Sequence, residues 1–217
     1  IASKMVKYMD HIDHYIRKYI GFEEEKGSFL ALKEKMLSSF AKTKGYISLY
    51  LKYKKYQKKF KKIPYRKVQN PLRIGIIGEL YTIMEPFANY QLELMLASYG
   101  ISIKRYTNVH YLLFEKSRVM KKEMKKIKQY VHYPLGADAA DNVARTLELC
   151  QKKYDGIIHI KSSFCTPEIG VMPIIDRIAK EYGVPILYFS FDSETSEVGM
   201  QTRIEAFYDL MERKRKS

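Results

Sequence analysis

Apolar and polar residues follow two different rhythms along this chain. Between positions 5 and 20, Met5, Val6, Met9, Ile12, Tyr15, Ile16 and Tyr19 recur at helical spacing, which predicts a helix with one buried face. A second helix is predicted over 28–53, opening at the cap candidate Ser28 and open to interruption at Gly45. Pro64, Asn70 and Pro71 then punctuate the chain. Beyond them, short apolar runs at 72–77, 101–106, 156–160 and 185–189 predict strands. Between the strands, helices are predicted over 89–99 (ended by Gly100), within 111–130, and over 138–153, 173–181 and 201–213.

Strands that alternate with helices predict an α/β fold: a mostly parallel, Rossmann-like sheet flanked by helices, here over 71–217, preceded by a basic helical segment over 1–70. Right-handed crossovers would bring the loops after the strands to one edge of the sheet. Those loops, 78–88, 161–170 and 190–199, carry most of the residues with useful chemistry. In open α/β sheets ligands bind beyond the carboxyl ends of the strands.

Composition adds bounds. The chain has 217 residues, enough for one large domain or two small ones, and 46% hydrophobic content, which excludes wholesale disorder. No apolar run approaches the ~18 residues of a membrane span. The chain opens at Ile1 without a signal-peptide pattern, from which an excised or processed chain is expected. Two cysteines, Cys150 and Cys165, make no disulfide framework, and a cytoplasmic location is expected. The net charge of +15 favours polyanions without naming one. It concentrates in 51–67, where Lys52, Lys54, Lys55, Lys58, Lys59, Lys61, Lys62, Arg66 and Lys67 surround Tyr53, Tyr56 and Phe60. That aromatic spacing fits a helix face turned to a core. The same segment also fits a phosphate-bearing ligand such as coenzyme A, or nucleic acid.

Cys165 follows the strand predicted at 156–160, where a thiol can reach a ligand; a half-buried structural cysteine is the other reading. His159, six positions earlier, would be the base for a nucleophilic thiol, yet an imidazole there is expected to face a neighbouring helix. The chain has no Cys-x-x-Cys, and Cys150 is expected to be structural within a helix. Glu79 and Glu85 would serve as acid or base if desolvated, and otherwise are solvated loop carboxylates. Asn89 is expected to cap the helix after it. Gly75 and Gly78 do not have the spacing of a dinucleotide fingerprint, so no NAD site is expected.

Three stretches taken together carry a resemblance. Gly78-Glu79-Leu80-Tyr81 precedes Glu85-Pro86-Phe87-Ala88-Asn89; Phe164-Cys165-Thr166-Pro167-Glu168-Ile169 comes next; and the run from Asp192 to Gly199 is followed by Gln201-Thr202-Arg203-Ile204-Glu205-Ala206-Phe207. In this order they resemble the 2-hydroxyacyl-CoA dehydratase and benzoyl-CoA reductase superfamily, in the branch labelled CoA-substrate-specific enzyme activase-related or 2-hydroxyglutaryl-CoA dehydratase-like, over 72–213.

The resemblance implies two Rossmann-like halves with an iron–sulfur cluster, expected as 4Fe-4S, at their junction. It further implies an ATP-dependent activator protein that delivers electrons, a possible second subunit, an acyl-CoA substrate and anaerobic chemistry. Cys165 is the one position here that matches a cluster ligand, with the remaining ligands outside this chain. Thr166 and Glu168 beside the thiol, with Glu79 and Glu85, are candidates for tuning the cluster. The chain is thus expected to be the carboxy-terminal part of a longer dehydratase or reductase component, inactive in isolation. The alternative is a non-catalytic scaffold that binds a ligand or partner without a cluster, and nucleic-acid binding through 51–67 is a third reading.

Overall fold

The computed structural model describes residues 1–133 and 135–216. Three helices come first: α1 (Ala2–Tyr19), α2 (Ser28–Ala41) and α3 (Tyr46–Lys61). Ile12 and Ile16 of α1, Phe29, Met36 and Phe40 of α2, and Leu49, Tyr53 and Phe60 of α3 close around one another as a separate small core. Tyr53 and Phe60 face inward, so the aromatic spacing in the basic run is that of a core face, with Lys54, Lys55, Lys58 and Lys59 exposed on the other side.

Beyond these helices the chain alternates as its periodicity predicts. The strands are β1 (Arg73–Gly78), β2 (Ser102–Arg105), β3 (Gly156–Ser162) and β4 (Ile186–Phe191). They form one parallel sheet in the order β2-β1-β3-β4. The helices are α4 (Leu80–Met84), α5 (Leu92–Ser98), α6 (Lys116–Ile127), α7 (Ala139–Gln151), α8 (Thr166–Tyr182) and α9 (Glu197–Lys216), with a π-helical turn, Tyr111–Glu115, leading into α6. Side chains alternate across the strands. Ile74, Ile76, Ile158 and Ile160 pack on one face with Ile83, Leu92, Leu96, Ile204 and Phe207 from α4, α5 and α9. Ile77 and Ile157 pack on the other with Val143, Leu147, Val171 and Ile175 from α7 and α8. A sheet covered on both faces explains why its two central strands, β1 and β3, are rich in isoleucine.

Strand order fixes where this sheet can open to a ligand. From β1 the chain moves outward to β2, then returns to the opposite side of β1 as β3. The direction of winding therefore reverses between β1 and β3, which is the topological switch point where such sheets open a ligand crevice.

Several boundaries differ from expectation. The helix expected over 28–53 is two helices, broken where Gly45 adopts φ 90, and its second half runs to Lys61 through the basic segment. The helix expected from Pro173 starts at Thr166, with Pro167 in its first turn, where a missing N–H costs nothing, and Pro173 inside it. The expected loop at 161–170 therefore shrinks to Ser163-Phe164-Cys165, because Lys161 and Ser162 extend β3. Likewise β4 runs to Phe191 and α9 begins at Glu197, leaving a short turn where 190–199 was expected.

Candidate functional site at the sheet's carboxyl edge

β3 ends at Ser162, and three residues later Cys165 caps α8. Its N–H donates to the Ser162 carbonyl at 3.1 Å and its carbonyl accepts from Ile169 N–H at 3.0 Å, so the backbone on both sides of the thiol is fixed. The side chain is half-buried, while Phe164 and Thr166 beside it are exposed.

Glu79, first residue after β1, ties the two switch-point strands together. Its carboxylate accepts the Ser162 N–H at 2.6 Å and the Thr82 hydroxyl at 3.0 Å, and its own N–H donates to the Ile160 carbonyl at 2.9 Å. Gly78 makes this approach possible: it sits at φ 137, and a Cβ there would overlap the Ile160 carbonyl. Glu85 lies further out and accepts the Phe87 N–H at 3.0 Å, a turn contact away from the thiol. The N-cap of α5 is Gln91 rather than the expected Asn89; from two positions earlier Asn89 accepts the Leu92 N–H at 3.1 Å, and its amide donates to the Thr82 carbonyl at 2.7 Å.

Glu168 is placed differently from its neighbours. Only its backbone N–H turns toward the sulfur, while its carboxylate is 1% exposed and points into the sheet. There it accepts from Asn142 Nδ2 at 2.9 Å and meets His159 Nε2 at 2.7 Å. Asn142, on α7, also brackets Gly78: its Oδ1 accepts the Gly78 N–H at 3.1 Å and its Nδ2 donates to the Gly78 carbonyl at 3.0 Å. A buried polar chain thus joins the end of β1, α7, β3 and the first turn of α8 directly behind Cys165. The His159 ring lies against Tyr188 and is turned to Glu168, so no Cys–His pair forms. Asn142 was missed in the sequence; its signal was a polar run, Asp141-Asn142 with Arg145-Thr146, inside a helix whose apolar positions mark it as buried.

The electrostatics define what the thiol can do. A helix N-terminus favours a thiolate. Burial nevertheless pushes the Cys165 thiol above its ordinary value; the Glu168 N–H opposes this, the Glu79 and Glu168 carboxylates reinforce it, and Lys161 opposes it. Burial thus opposes the thiolate that a free-standing nucleophile needs. A bound metal would reverse that, because coordination deprotonates a thiol outright. Cys150 has no such prospect: it is buried in the α7 core and its thiol is pushed up to about 11 by burial.

Beside this loop lies a cavity of about 940 Å³ between the helical segment and the carboxyl edge, lined by Leu30, Pro86, Phe87, Met95, Phe191 and Asp192 among others. Asp192 accepts the Ser163 hydroxyl at 2.8 Å, linking the cavity wall to the Cys165 loop. No group of three or more His, Cys, Asp or Glu side chains is arranged to hold a metal among the described residues. Taken alone, the chain offers an iron–sulfur cluster one thiol, which does not make a complete cluster site.

A doubly wound parallel sheet covered by helices on both faces, with a buried polar chain and a half-buried thiol at its switch point, makes this a Rossmann-like α/β domain. The family is given by comparison: the model for the 2-hydroxyglutaryl-CoA dehydratase, D-component, matches residues 52–211, from within α3 through α9, and the chain belongs to that family. It is thus a dehydratase-type component. No curated protein matches the chain. No helix among the described residues is long and apolar enough to cross a membrane.

Proposed function

We propose that this chain serves a 2-hydroxyacyl-CoA dehydratase or related reductase by contributing Cys165 as one ligand of an iron–sulfur cluster whose other ligands lie outside this chain. The observation that supports this most is the placement of the chain's only half-exposed thiol at the switch point, on backbone fixed from both sides. Metal ligation suits a thiol held on fixed backbone at this edge, because coordination itself supplies the deprotonation that burial opposes. Glu79 would hold the loop that carries the ligand, and Thr166, exposed beside it, would face whatever covers the site. In this reading the acyl-CoA substrate, the ATP-dependent activator and a second subunit approach from the carboxyl edge, and the component works in the cytoplasm under anaerobic conditions.

The test is iron and acid-labile sulfide on the anaerobically purified component assembled with whatever supplies the remaining cysteine ligands, wild type beside Cys165→Ser and Cys150→Ser. A cluster lost only on changing Cys165 is the expected result. Equal cluster content in all three would remove Cys165 from the ligand set. A cluster in none would favour the second reading, a ligand-binding scaffold, for which the adjoining 940 Å³ cavity is the supporting feature.

A further inference from the structure

A second cavity, of about 400 Å³, lies away from Cys165 between α1, the end of β2, the π-helical turn and α7. Its lining is dominated by cations: Lys7 and Arg17 from α1, Lys104 and Arg105 from β2, and Arg145 from α7. Three of these have counterions. Arg17 and Arg105 share the Glu93 carboxylate at 2.8 Å each, and Arg145 meets Asp141 at 3.0 Å and Glu148 at 2.8 Å. Glu148 is also taken by Lys152 at 2.5 Å. Lys104 makes no ion pair among the described residues, and its ammonium lies over the Tyr106 ring, 4.9 Å from the centroid. Burial pushes Lys104 below its ordinary pKa; Glu148 opposes this, and Lys152, Arg145 and Arg17 add to it.

The acids on the lining are already engaged. Asp10 accepts the His110 N–H at 2.6 Å, and Glu115 meets His110 Nε2 at 3.3 Å. The rim is basic as well, since Lys7, Lys54 and Lys61 lie near His11, and Lys18, Lys104 and Arg17 near His14.

Two orphaned atoms belong to the same lining. Arg105, with a side chain 9% exposed, donates through its guanidinium to the Ile83 carbonyl at 2.9 Å, but its buried Nε has no hydrogen-bond partner. His110 Nδ1 is likewise buried without one. A buried polar atom left unpaired costs about 1–3 kcal/mol. Two unpaired atoms on residues of this lining, together with Lys104 outside any ion pair among the described residues, suit an acceptor-rich anion.

We propose that this cavity binds a small phosphate-bearing molecule, with Lys104 and Arg105 as its inner cations and Lys7, Lys54 and Lys61 as its outer ones. Phosphate fits better than a carboxylate, because it brings three acceptor oxygens and a charge near −2 to a site with several cations. A small molecule fits better than nucleic acid. The cavity is concave and within the usual ~300–1,000 Å³ of ligand pockets, and its inner cations lie beneath α1 rather than along a flat face. This assignment stands apart from Cys165 and does not depend on a cluster.

The test is calorimetric titration with inorganic pyrophosphate of the wild-type chain, Lys104→Gln, and Lys55→Gln as an exposed control on α3. Wild type is expected to bind at one saturable site. Lys104→Gln should weaken binding about tenfold or more while the melting temperature falls by no more than about 4 °C, since only the contact with the Tyr106 ring is lost, and Lys55→Gln should bind as wild type. Three outcomes would each overturn the proposal: no saturable binding up to about 10 mM, equal weakening in both variants, or sulfate binding as tightly as pyrophosphate. Displacement of pyrophosphate by a single-stranded oligonucleotide that depends equally on Lys55 and Lys104 would transfer the site to nucleic acid.

Discussion

Removing the Glu168 carboxylate tests the buried polar chain behind Cys165 directly. In Glu168→Ala, His159 Nε2 loses its only partner while Nδ1 already has none, and Asn142 Nδ2 keeps only the Gly78 carbonyl. Breaking a fully buried pair of this kind costs about 3–5 kcal/mol, because the remaining group stays buried and unsatisfied. For a chain of this size that corresponds to a fall in melting temperature of about 6–20 °C.

Glu168→Gln keeps the shape. Its Oε1 can accept from Asn142 while its amide donates to His159 in the other tautomer, so it should lose no more than about 1–2 kcal/mol. The double variant Glu168→Ala/His159→Ala should recover about 1–3 kcal/mol relative to the sum of the single changes, as contacting groups do. Urea unfolding with a common slope measures all five proteins, wild type and His159→Ala included. A Glu168→Ala loss under about 1 kcal/mol, or strict additivity with His159, would refute the buried pair.

Other perturbations probe the same edge of the sheet. Glu79→Ala should destabilise by about 1.5–3 kcal/mol, since it removes a charged acceptor from the Ser162 N–H, and should speed alkylation of Cys165; unchanged alkylation would mean the loop is not held by Glu79. Gly78→Ala should cost at least about 3 kcal/mol, read as a lower melting temperature or insoluble protein, because the added Cβ meets the Ile160 carbonyl backbone, which cannot yield. In native protein at pH 8, iodoacetamide should modify Cys165 before Cys150, whose burial and thiol raised to about 11 leave almost no thiolate; mass spectrometry of the peptides decides the order. The Asp192 carboxyl is held below its ordinary value, first by the Ser163 hydroxyl and then by Thr195. Its link to the Cys165 loop is therefore fully present above the unfolded Asp value of ~3.9 and lost as pH falls through the lower folded value, which a carboxyl NMR titration would show.

What could be read from the sequence was local. Isoleucine runs marked β1 and β3, the alternation of strands and helices marked a parallel sheet, and the placement of Cys165 just past a strand marked the edge where it lies. These signals survive because strand and helix periods depend on residues a few positions apart. Tyr53 and Phe60 announced their inward face for the same reason. Only the tertiary structure decided which strands lie side by side, and so where the switch point falls. It also decided that Glu168 turns inward to His159, that Asn142 brackets Gly78 from 64 residues away, and that Lys104 shares a cavity wall with Arg17 of α1. A polar side chain in a sequence carries no mark of its partner. Its role is set by which distant donors and acceptors burial leaves it to satisfy.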